Sequence, residues 1–261
     1  MKKHFFSKAL VSVILSFALL TGNHQSVQAQ DVSTFQYRHV DPDKRAEFIK
    51  RETTYWSKIA QKAIDKGNLT FWALLEKVGG ANQAQSPNFL FVNVFKNIDD
   101  ANNVWDASAA FPGIPLSKME TNSISTTTGT FFISRENWEQ KAKVVPDKDF
   151  NYMRINYYNS SNPSAFIELE KKYWGPFIKT TMDNNQVTQV AWGNYGVLSP
   201  WGGDMKFNSL SIDIYPKLSN VLYPNWDSNV KFPIAELDSL QKILLAPRAS
   251  DIFRVVKVVS K

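Results

Sequence analysis

The chain has 261 residues, a formal net charge of +6, 13% aromatic residues, 3 histidines and no cysteine. Without cysteine there is neither a disulfide framework nor a thiolate metal site, so the fold has to rest on a hydrophobic core. The basic residues form no clustered face, which excludes the usual footprint of a nucleic-acid binder.

The first 29 residues read as an export signal. Lys2, Lys3 and Lys8 precede the apolar run Ala9–Leu20, and the small-x-small site Val27-Gln28-Ala29 follows. The run is shorter than the roughly 18 to 20 residues needed to span a bilayer, so a cleaved peptide is expected rather than an anchor. The expected location is secreted or periplasmic. Cleavage after Ala29 would remove those three lysines, lowering the charge from +6 to +3, together with His4 and His24.

Beyond the signal, Thr34–Val40 reads as a first strand. Phe48, Trp56, Ile59 and Ala63 then fall on one face of a helix, for which Gly67 is a natural stop. A second strand is expected around Trp72, and a third over 90–95, where Leu90, Val92 and Val94 alternate with Phe91, Asn93 and Phe95. A short helix or turn, the Phe111-Pro112 break and a closing strand over Gly129–Ser134 complete the unit.

The same order then repeats. Phe48–Trp56 recurs as Phe166–Trp174 with five of nine positions identical. Leu90–Phe95 returns as Leu210–Tyr215, and Trp105-Asp106 with Phe111-Pro112 returns as Trp226-Asp227 with Phe232-Pro233. The second copy opens with a strand over Tyr152–Tyr158, has its helix stop at Asn184-Asn185 and a strand around Trp192, and closes over Asp251–Val258. Three blocks in one order, with offsets of 118, 120 and 121 residues, mark a duplication. The expected organisation is a signal over 1–29, one repeat over 30–147 and a second over 148–261, each β-α-β-β-α-β, the ferredoxin-like plan of an α+β fold.

A duplicated unit of this kind resembles the dimeric α+β-barrel superfamily, over nearly all of the mature chain. That resemblance implies two sheets facing each other as a pseudo-dimeric barrel. Its members include cofactor-independent monooxygenases, small-ring isomerases and haem enzymes, so function has to be argued from the site.

Six of the eight tryptophans form repeat-matched pairs, Trp56 with Trp174, Trp72 with Trp192 and Trp105 with Trp226, and are read as core. Trp201, in the glycine-rich loop Gly193–Gly203 peculiar to the second copy, is a candidate lid residue, although a hairpin connection also accounts for that loop. Glu52 and Glu170 fall on the apolar helix face in both copies. A carboxylate there needs a partner or a raised pKa. Its presence in both copies favours a strut over an acid or base.

On the third strands, Leu90, Val92 and Val94 with their partners Leu210, Ile212 and Ile214 are expected against the helices. The opposite face, including Asn93, Phe95, Asp213 and Tyr215, is expected to line a lumen between the sheets, joined by Arg154 or Gln36 from the first strands. Asn93, Phe95, Arg154, Asp213, Tyr215 and Trp201 are therefore the candidate ligand-binding residues, for a small, partly apolar molecule. An internal Asp213–Arg154 pair is an equally good structural account of those two. His39, alone in the mature chain, is read as a surface or hydrogen-bonded residue rather than a haem ligand. No cofactor or metal is expected and no catalytic residue is assigned. The alternative function is a cofactor-independent oxygenase or isomerase using Glu52, Glu170, Asp213 or His39 as acid or base.

Overall fold

The alternating segments become eight strands. They are β1 (Val32–His39), β2 (Leu69–Lys77), β3 (Phe89–Phe95) and β4 (Thr126–Gln140), then β5 (Tyr152–Tyr158), β6 (Ala191–Ser199), β7 (Ser209–Tyr215) and β8 (Ala249–Ser260). A computed structural model describes residues 32–79, 86–200 and 206–261, so the expected export signal over 1–29 and Trp201 lie outside the described residues. All neighbouring strands are antiparallel and hydrogen-bonded in the closed order β1-β3-β2-β8-β5-β7-β6-β4.

Within each half the order is the ferredoxin-like one. The halves join through the two closing strands, each of which serves a partner in either half. β4 pairs with β1 over Thr126–Ser134 and with β6 over Phe132–Gln140. β8 pairs with β5 over Ala249–Arg254 and with β2 over Phe253–Ser260. This double duty is why they run 15 and 12 residues, longer than the segments expected from sequence. Closure leaves no open sheet edge. Asp31–Lys261 forms one compact unit.

One long helix covers each sheet from outside. In the first half, Arg45–Arg51 runs through a π-helical turn, Glu52–Trp56, into Ser57–Asp65. The second half repeats this as Pro163–Leu169, Glu170–Trp174 and Gly175–Asp183, with the Asn162 side chain accepting a cap hydrogen bond from the Ala165 amide. The expected stops hold: Gly67 and Asn185 both adopt left-handed backbone, at φ +79° and +57°.

The expected orientation of the strand faces is reversed. Leu90, Val92, Leu210, Ile212 and Ile214 pack inside the barrel with Phe35, Ile155 and Tyr195. Phe91 and Phe95 face outward, against Phe48, Ala60 and Ala63 of the helix. Alternation separates two faces without saying which is inside, and here both are largely buried. The closed interior takes the branched aliphatics, which interdigitate across it. The aromatic and polar face meets the helix.

Trp72 and Trp192 are fully buried on that helix side, Trp192 against Ile178 and Met182, in agreement with a core role. Inside the barrel the Tyr37 and Tyr157 hydroxyls hydrogen-bond to each other at 2.9 Å. They occupy equivalent places, opposite Leu90 and Leu210 in register, so the bond joins the two halves across their pseudo-twofold relation.

Candidate functional site

Each half holds a cavity between the outer face of its sheet and its long helix. In the first half it measures about 400 Å³. Its floor is Thr34, Gln36 and Arg38 of β1 with Phe91, Asn93 and Phe95 of β3, and its walls include Trp56, Trp105 and Thr121. Trp56 and Trp105 meet edge to face at 6.3 Å, and Trp56 Nε1 donates to the Met119 carbonyl at 2.9 Å.

Glu52 opens the π-helical turn and points into this cavity. Its Oε1 accepts a 2.6 Å hydrogen bond from Thr121 Oγ1. Burial pushes its pKa up to about 7, against the opposing pull of the Thr121 hydroxyl and the Arg38 charge. Arg38 is fixed by donating through Nε to Gln36 Oε1 at 3.0 Å and through Nη1 to Ser125 Oγ at 2.9 Å. Its guanidinium carbon lies 5.5 Å from the centre of the Phe91 ring. A carboxyl poised near neutrality therefore shares an aromatic cavity with a fixed cation, an arrangement suited to removing a proton and holding the resulting anion.

The second-half cavity, about 470 Å³, has the same plan and different groups. Glu170 matches Glu52, and burial pushes its pKa up to about 8, with Asn194 bonding and Arg248 pulling it down and Asp213 adding to the rise. Strand register equates Arg38 with Tyr158, Phe91 with Ser211 and Asn93 with Asp213. The Trp174–Trp226 pair, at 6.4 Å, repeats the geometry of Trp56–Trp105.

The sequence-derived candidates are thus divided between two cavities instead of sharing a lumen. Asn93 and Phe95 line the first and Asp213 the second. Asn93 Nδ2 donates to Thr34 Oγ1 at 2.9 Å. Asp213 accepts from Asn156 Nδ2 at 2.9 Å and Gln189 Nε2 at 3.1 Å, and burial raises its pKa. Arg154 lies opposite Asp213 in register and donates to the Val221 carbonyl, so the carboxylate is held by amides rather than by that guanidinium. Tyr215 is buried with its hydroxyl donating to Gln189 Oε1 at 3.3 Å.

His39 bonds the Ser86 carbonyl and Asp41, at 2.7 and 3.3 Å, and is not among the residues lining these cavities, so the described residues bring no histidine to a haem there. A third cavity of about 310 Å³ lies in the barrel interior, lined by Phe35, Val94, Trp138, Phe150, Met153 and Tyr195 among others, none of them sequence candidates. Sequence reasoning missed Arg38, Thr121 and Arg248. The first was accessible by aligning the strands at the 120-residue offset of the third strands; the other two lie in variable segments with no repeat signal.

No family model and no curated protein sequence matches the chain. Solved structures do. A proposed monooxygenase from Lactobacillus acidophilus superposes with a TM-score of 0.59 at 12% identity, covering 88% of this chain and 96% of that one. A proposed monooxygenase from Fusobacterium nucleatum gives 0.55 at 12% identity, covering 89% and 96%. An anthrone oxidase-like protein gives 0.55 at 12%, covering 88% and 93%. These similarities establish the dimeric α+β-barrel fold.

Proposed function

We propose that the protein is an exported, cofactor-independent oxygenase of the α+β-barrel type, acting on a small polycyclic aromatic molecule with an acidic C–H bond in the first-half cavity. The observation that carries this reading is Glu52, a buried carboxyl with a pKa of about 7 facing an aromatic cavity that also holds the Arg38 cation. The superposed proteins, two proposed monooxygenases and an anthrone oxidase-like protein, support the same reaction class. Export rests on the Lys2–Ala29 pattern.

In this scheme the substrate ring packs among Trp56, Trp105 and Phe91. The Thr121 hydroxyl fixes the Glu52 carboxylate through Oε1, and the carboxylate takes the substrate's proton. Arg38 stabilises the anion that remains, which delivers electrons to dioxygen. For an anthrone-type methylene the balance is CH2 plus O2 giving C=O plus water, with no external reductant.

The test is oxygen consumption with anthrone as substrate. Wild-type protein is expected to consume oxygen and form the ketone, with kcat/KM rising with pH through about 7 as Glu52 ionises. Glu52→Gln should lower the rate by about 100-fold or more, the usual scale for a positioned base. Full activity in Glu52→Gln, or no turnover by wild type across a panel of hydroxylated polycyclics, would refute the assignment.

The interior cavity supports one second reading, non-catalytic binding of an apolar molecule between the sheets, because its volume reaches the lower end of ligand-site sizes, about 300 Å³. Ligand-induced stabilisation that survives Glu52→Gln and Glu170→Gln but is lost on Met153→Trp would favour it.

A further inference from the structure

We infer that the second-half cavity is a separate binding site, for a small aromatic amine in its ammonium form. The inference is independent of the proposed chemistry at Glu52. Glu170 and Asn156 both line this cavity, at 4% and 1% exposure. Glu170 Oε2 and Asn156 Oδ1 are buried there without a hydrogen-bond partner.

The amide of Asn156 is oriented by its own donors. Its Nδ2 gives hydrogen bonds to Asp213 Oδ2 at 2.9 Å and Ser211 Oγ at 3.3 Å. Turning the amide over would place an oxygen against the Asp213 carboxylate, so the oxygen is the atom left without a partner. An oriented carbonyl oxygen accepts only, and leaving such a group buried and unpaired costs about 1 to 3 kcal/mol. The ligand that completes this site therefore supplies N–H or O–H.

Charge selects between them. Glu170 and Asp213 contribute two carboxyls, and Arg248, exposed beside Tyr158 and Asp213, contributes one guanidinium. Burial alone holds both carboxyls toward their protonated forms, and an ammonium placed between them favours ionisation. With both ionised the cavity carries one net negative charge, which the monocation neutralises. The walls, Phe166, Trp174, Leu237, Leu240 and Leu244, are apolar and can hold an aromatic body.

The first-half cavity has diverged at the same positions. There the register equivalents of Tyr158, Ser211 and Asp213 are Arg38, Phe91 and Asn93, so a fixed cation stands where the second half carries neutral hydroxyls and an added carboxylate. An ammonium ligand is disfavoured in one cavity and favoured in the other.

The experiment is calorimetric and thermal-shift titration of the full chain with 2-phenylethylamine and, as the opposite-charge control, 3-phenylpropionate. The amine should bind saturably and raise the melting temperature, and the carboxylate should do neither. Glu170→Gln and Asn156→Leu should each weaken amine binding at least tenfold, while Glu52→Gln leaves it unchanged. Glu170→Gln is isosteric and removes a buried ionisable group, so it remains informative if Asn156→Leu fails to fold. Absence of amine binding at millimolar concentration, equal binding of the carboxylate, undiminished binding in Glu170→Gln or loss in Glu52→Gln would each overturn the inference.

Discussion

Glu52 and Glu170 are the residues at which the sequence was most informative and its favoured reading least complete. Helical spacing placed both carboxyls on the buried face, and both are buried, at 3% and 4% exposure. Repetition argued for struts, yet each lines a cavity, because a buried acid under a helix meets whatever space the sheet leaves. Their folded pKa values, about 7 and 8, lie above the ordinary 4.5. The folded state therefore holds protons that the unfolded chain releases above about 4.5. This contribution to stability is complete below that pH and is lost as pH rises through 7 and 8. Thermal denaturation from pH 5 to 8.5 should show wild-type stability falling by on the order of 6 kcal/mol, with a flatter profile in the double variant Glu52→Gln/Glu170→Gln. Parallel profiles would show that neither carboxyl is held protonated by the fold.

At the scale of elements, the long helices were legible down to their stops, but the π-helical turn at Glu52–Trp56 and Glu170–Trp174 was not. Apolar spacing is averaged over turns, and one widened turn alters it too little to read. The turn matters because it decouples two helical faces: Phe48 before it and Ile59, Ala60, Ala63 and Ile64 after it are all buried, while Glu52 is turned into the cavity. Deleting Thr54 should convert the turn to regular α-helix, leaving the flanking faces in place but removing the local widening that turns Glu52 into the cavity. The expected result is helical content near wild type by circular dichroism, with oxygen consumption reduced as far as in Glu52→Gln. Wild-type activity in the deletion variant would mean that the turn does not position Glu52.

The whole molecule depends on closure. Strands β4 and β8 each bind both halves, and the Tyr37–Tyr157 hydrogen bond crosses between them. That bond is asymmetric, since Tyr157 also hydrogen-bonds Asp251, which pairs with Lys77 at 2.7 Å. Tyr157→Phe should leave the buried Tyr37 hydroxyl unpaired and cost about 1 to 3 kcal/mol, whereas Tyr37→Phe leaves Tyr157 bonded to Asp251 and should cost less. Chemical denaturation of the two variants measures the difference, and equal losses would contradict the asymmetry.

By itself the sequence determined the duplication, the element order, the α+β class and the barrel resemblance, because repeats and periodicity are local patterns that survive without coordinates. Only the tertiary structure decided which strand face is interior. Both faces of β3 and β7 are largely buried, and closure of the barrel put the branched aliphatic one inside. That choice moved Asn93 and Asp213 from one imagined lumen into two cavities under the helices, beside Glu52 and Glu170. It also brought in Arg38, Thr121 and Arg248, whose proximity depends on strand register and chain return rather than on any spacing along the chain.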